Sequence, residues 1–123
     1  MDWIALGSYS SNPGTAYHCD PIAAAVEKIV HGRHPDWDMA LHKQYSGKCP
    51  LSLVKDKVHW APTFSMVCRR DGWHITLGRG RLTEGTCQKL GATLLADDSL
   101  LIPLSAHKDL VEMGCELMEN AAH

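Results

Sequence analysis

Two alternating runs, Phe64-Ser-Met-Val-Cys-Arg-Arg70 and Trp73-His-Ile-Thr-Leu77, flank Asp71-Gly72. Asp-Gly is the dipeptide that a two-residue type I′ hairpin wants, because both turn positions need positive φ. A turn centred there pairs Arg70 with Trp73, Arg69 with His74, Cys68 with Ile75, Val67 with Thr76 and Met66 with Leu77. Side chains alternate faces along a strand. One face then carries Phe64, Met66, Cys68, Ile75 and Leu77, with Arg70 and Trp73 beside the turn. The other carries Ser65, Val67, Arg69, His74 and Thr76. The register set by the turn sorts the apolar residues onto one side unaided. A chain with this hairpin is committed to a sheet with one apolar and one largely polar face.

The remaining chain supplies partners for that sheet. Residues 3 to 6 read as a short strand, and residues 7 to 14 as a Ser-, Asn-, Pro- and Gly-rich loop. Asp20-Pro21 opens a helix that Gly32 stops, with Ile22, Ala25, Val26, Ile29 and Val30 as its buried stripe. Pro35 starts a second helix by the same logic, ending near Tyr45, with Trp37, Leu41, Gln44 and Tyr45 on one face. Residues 51 to 54 and 57 to 60 form short strands around Lys55-Asp56. Gly78-Arg79-Gly80 bends the chain, and Thr83 caps a short helix that ends at Gly91. Residues 93 to 95 and 100 to 104 flank Asp97-Asp98-Ser99 as a second hairpin, with Pro103 placing the latter strand at an edge or at its end. Ser105 caps a last helix with Leu110, Met113, Gly114, Leu117 and Ala121 on one face. The expected class is α+β: a single domain over 1–123, its mainly antiparallel sheet built from hairpins and packed against three to four helices.

Composition narrows the function classes. With 123 residues the chain makes one domain whose core needs no metal or disulfide staple. A net charge of −2 gives no global attraction to nucleic acid or anionic membrane. The longest apolar runs are about five residues, against the ~18 of a membrane helix, so no membrane is expected. After Met1-Asp2-Trp3 there is no basic region followed by an apolar one, so no secretory signal is expected. Five cysteines stand far apart without a C-x-x-C pair, which points to a reducing, cytoplasmic setting. No cofactor is called for.

Four constellations could carry chemistry. The first is basic: Arg69, Arg70, Arg79, Arg81 and Lys89 outnumber Asp71 and Glu84. Gly78-Arg-Gly-Arg81 runs from a strand toward a helix start, where free backbone N–H groups and two guanidinium forks could hold an anion. Its spacing is neither a P-loop nor the dinucleotide fingerprint. With His74 and an aromatic anchor at Trp73, this surface suits an acidic protein partner, with a nucleic-acid backbone second. The second is metal: His31, His34, Asp38 and His42 crowd one stretch, without zinc-signature spacing. The third is a Cys/His pair, with Cys19 at a helix start and His59 or His74 as its base. The fourth is the stripe Met113, Leu117 and Met118, which reads as core or as a homodimer seam.

The reading that follows is a small soluble non-enzymatic binding or inhibitor protein that uses a basic hairpin face. Its alternatives are a small hydrolase-type enzyme and a metal-binding protein. Small size without a catalytic signature is also the profile of inhibitors from phages and mobile elements, an analogy of size alone.

Overall fold

The computed structural model describes residues 3–5, 20–42, 49–55, 58–59 and 62–122. In chain order these form β1 (Trp3–Ala5), α1 (Asp20–Arg33), β2 (Trp37–His42), β3 (Cys49–Lys55), β4 (Val58–His59), β5 (Phe64–Arg69) and β6 (Gly72–Leu77). There follow α2 (Glu84–Leu90), β7 (Thr93–Leu94), β8 (Leu100–Ile102), a 3-10 helix (Leu104–Asp109) and α3 (Leu110–Ala121). The strands make one sheet in the order β1-β2-β3-β5-β6-β8-β7, with β4 beside β3. Every pairing among the described residues is antiparallel. The class is α+β. The loop expected over residues 7 to 14 lies outside the described residues.

The hairpin forms, but its turn is not the one the dipeptide suggests. Met66 faces Ile75 and Cys68 faces Trp73, two positions from the expected partners. Arg70 and Asp71 make the turn, and Gly72 opens β6 opposite Arg69. Asp98 is the one non-glycine with positive φ among the described residues, so the type I′ assignment fails. Gly72 itself sits at φ 143°. A Cβ there would lie 2.4 Å from the carbonyl oxygen of Ile102 on the neighbouring strand β8. Close backbone approach thus requires the glycine. A shift of two residues preserves the faces. Phe64, Met66 and Ile75 are fully buried and Trp73 is buried beside them. On the other side Ser65, Val67 and His74 are half-buried, while Arg69 and Thr76 are exposed.

Helices α1 and α3 cover the apolar face. Gly114 of α3 permits the contact, since a Cβ at that position would meet Val26 Cγ2 of α1 at 2.6 Å and Phe64 Cζ of β5 at 3.5 Å. The buried stripe of α1 is Ala23, Val26 and Val30; the expected stripe omitted Ala23 and included Ile29, which is 37% exposed, and Ile22 and Ala25, which are half-buried. The α3 face matches expectation: Leu110, Met113, Gly114, Leu117, Met118 and Ala121 are buried. The 3-10 helix precedes α3, so Ser105 does not cap it. Asp109 stands at the cap without a side-chain bond. Side chains from both layers make one core.

The segment after Pro35 is a strand, not a helix. His34 accepts a bond from the Trp37 N–H at 2.9 Å and closes a turn over Pro35-Asp36. Trp37, Asp38 and Met39 then pair with Lys55, Val54 and Leu53. Residues 43–48, where that helix was to end, lie outside the described residues. By contrast α2 follows its punctuation. Thr83 Oγ1 accepts from the Thr86 N–H. At the other end Gly91 is left-handed at φ 68°, and the N–H groups of Gly91 and Ala92 close on Gln88 O and Cys87 O. Residues Thr93–Leu94 and Leu100–Ile102 pair as the second hairpin. Pro103 falls just past the end of β8.

Candidate functional site

The outer face of β5, β6 and β8 is the polar side of the hairpin. His74 projects there and donates from Nε2 to Asp71 Oδ1 at 2.8 Å. That hydrogen bond holds the Asp71 carboxyl below the usual carboxylate range. Bonds from Ser99 do the same for Asp97 at the tip of the second hairpin. Arg69 and Arg70 are exposed at the hairpin tip, and no ion pair engages either among the described residues. Toward β2 and β3 the same side is not open: Ala40, Ser52 and Val54 are buried. Among the described residues the accessible polar face is therefore mainly the β5–β6–β8 end, with Asp38 exposed separately on β2.

Two residues expected on this surface belong elsewhere. Trp73 is 6% exposed and packs in the core, so it is no surface anchor. Arg81 folds back on the bend, donating to Gly78 O at 2.6 Å and Gly80 O at 2.9 Å. The anion cradle expected at Gly78-Arg79-Gly80 is also spoken for. The N–H groups of Gly78 and Gly80 both donate to Thr63 O at 3.0 Å. Thr63, fully buried, in turn donates from its backbone to Leu51 O and accepts from Leu53 N–H at its hydroxyl. The bend thus ties the end of β6 to Thr63 at the start of β5, and Thr63 ties both to β3. Arg79 is exposed beside it.

Of the candidate ligands of 31–42, His31 and Asp38 come together, while His34 turns to α3. His31 Nδ1 donates to Trp37 O at 2.9 Å and lies 3.9 Å from Asp38 Oδ1. His34 stacks on the Trp37 ring at 3.7 Å and donates to Glu119 Oε2 at 3.0 Å. Arg33 donates to the other Glu119 oxygen at 2.7 Å. His34 first and Arg33 second hold the Glu119 carboxyl below the usual range. This cluster latches the end of α1 to the end of α3. The side chain of His42 is outside the described set. Among the described residues no three His, Cys, Asp or Glu side chains could hold a metal.

Cys19 lies outside the described residues, and so does the side chain of His59. The described thiols are Cys68, Cys87 and Cys115. Burial pushes Cys87 and Cys115 above the usual thiol range, which disfavours the nucleophilic thiolate. His74, the alternative base, is engaged by Asp71.

Sequence reasoning missed one feature. α1, α2, the 3-10 helix and α3 enclose an open cleft of about 570 Å³ on the helical side. Glu116 lines it, with Oε1 accepting from Thr83 Oγ1 at 3.1 Å. Its Oε2 is buried without a hydrogen-bond donor among the described residues. The available signals were Ile29, apolar yet at the margin of its stripe, and a glutamate next to Cys115 on a largely apolar helix.

No helix among the described residues is long and apolar enough to cross a membrane. No protein family, no characterised protein and no solved structure matches this chain.

Proposed function

We propose that the protein is a small non-enzymatic binding module that occludes an acidic protein surface with the outer face of its β5–β6 hairpin, acting as an inhibitor or accessory factor. The observation that supports this reading is one-sided coverage. Helices bury Phe64, Met66 and Ile75, while the opposite side keeps Arg69 and Thr76 exposed, with Arg70 exposed at the turn. Two guanidinium groups with no ion pair among the described residues, at the tip of a hairpin, are well placed for carboxylates. The Asp71–His74 bond fixes the turn side chains between them. A reducing compartment suits the free thiols Cys68, Cys87 and Cys115.

The test is capture of the native partner from the source organism by wild-type protein and by an Arg69→Glu/Arg70→Glu double variant, with Lys28→Glu on exposed α1 as control. Loss with the double variant and retention with Lys28→Glu is expected. Retention by the double variant refutes the surface. If the captured species is nucleic acid, affinity falls steeply with salt as counterions are released. A shallow salt response excludes that partner class.

A further inference from the structure

The helical cleft is independent of the hairpin face. Its floor is apolar, formed by Ile29, Leu90, Val111 and Met113. Two ion pairs occupy four of the charges around it, Arg33 with Glu119 at 2.7 Å and Lys89 with Glu112 at 2.8 Å, and Lys108, Asp109 and Glu116 complete the charged wall. Glu116 is left without a counter-ion of this kind among the described residues. One of its oxygens is held by the Thr83 hydroxyl, and the other is buried with no donor. Buried carboxylate oxygens are nearly always hydrogen-bonded, so an orphan beside a cleft of ligand size points to a donor from outside the chain.

We propose that this cleft binds a small amphipathic amine. The ammonium group donates to Glu116, and the hydrocarbon body lies on Ile29, Leu90, Val111 and Met113. A cation is favoured over an anion because the four carboxylates of the wall, Asp109, Glu112, Glu116 and Glu119, outnumber its three bases, and because two of those bases, Arg33 and Lys89, are tied to their own partners, leaving Lys108. A charged donor is favoured over a hydroxyl because hydrogen bonds to ionised groups are roughly twice as strong as neutral ones. The apolar floor supplies affinity in proportion to the hydrocarbon it covers.

Hexylammonium, hexanol and hexanoate share one hydrocarbon and differ in head group, so titrating each into the ¹⁵N-labelled protein tests the assignment. Hexylammonium should give saturable shifts at the amides of Ile29, Leu90 and Val111, with roughly tenfold higher affinity than hexanol. Hexanoate should bind weakest. Glu116→Gln should abolish the preference for the amine over the alcohol, and Glu84→Gln, an exposed carboxylate outside the cleft, should preserve it. Glu116→Gln should also leave the melting temperature unchanged or raised, since the orphaned Oε2 makes no hydrogen bond within the described fold; a purely structural glutamate would lower it. Equal affinity for the amine and the alcohol, tighter binding of hexanoate, shifts mapping elsewhere or no saturable binding each overturn the proposal. The wild-type series stands on its own should Glu116→Gln fail to fold.

Discussion

Gly72 carries the sharpest single-residue constraint in the hairpin. It is buried at the first position of β6, at φ 143°, with the Ile102 carbonyl oxygen 2.4 Å from where a Cβ would sit. Gly72→Val should therefore cost about 2 kcal/mol or more, read as a shift in the denaturant midpoint. A loss below ~0.5 kcal/mol would show that β8 does not press on this backbone. The Asp-Gly dipeptide correctly marks the place as a turn, and it marks the wrong residue as the second turn position. The contact that selects the glycine comes from Ile102, thirty positions away in sequence, and no local pattern contains it. Glu119 is the second residue with a measurable consequence. Its hydrogen bond from His34, then that from Arg33, depress its pKa below the ordinary 4.5. A depressed carboxylate stabilises the fold above its unfolded-state pKa, and that contribution is lost as pH falls through the folded value. The melting-temperature gap between wild type and Glu119→Gln should thus be full near neutral pH and close progressively below pH 4.5. A gap that widens on acidification would contradict the latch.

At the scale of elements, the α1–α3 crossing sets the thickness of the helical layer. Gly114→Ala drives a methyl to 2.6 Å from Val26 Cγ2 and should cost about 1–3 kcal/mol by overpacking. Ile75→Ala in β6 and Leu117→Ala in α3, both at fully buried sites, should each cost about 2–5 kcal/mol. Ile29→Ala should cost less than about 1 kcal/mol, because that side chain is 37% exposed. Chemical denaturation ranks the four. α2 was legible because its start and stop signals are local: Thr83 bonds three residues ahead, and the Gly91 N–H closes on residues three and four behind it. β2 was not. Trp37 and Leu41 fit a helical face, yet Trp37, Met39 and Leu41 also fit a strand, and the register against Leu51–Lys55 decides between them. That register depends on a partner strand whose position the local sequence does not give.

For the whole molecule, the layer arrangement presents two distinct sides. One is the open outer face of β5, β6 and β8; the other is the helical layer with its cleft. The class and the polar side of the hairpin could be read from alternation alone. The cleft could not, because its walls come from α1, α2, the 3-10 helix and α3. Each of its charges, taken by itself, reads as ordinary helix surface. The basic patch was overdrawn for a related reason: Arg81 and the two glycine N–H groups look free in sequence but are consumed by Gly80 O, Gly78 O and Thr63 O in the fold. The proposed function requires that the hairpin face be the surface that meets the partner. A photo-crosslinking side chain placed at Thr76, exposed on that face, and separately at Lys28, exposed on α1, tests this most directly. Position 76 should crosslink one discrete partner, and Arg69→Glu/Arg70→Glu should abolish the adduct, with no adduct from position 28. Crosslinking from position 28 alone would contradict the account.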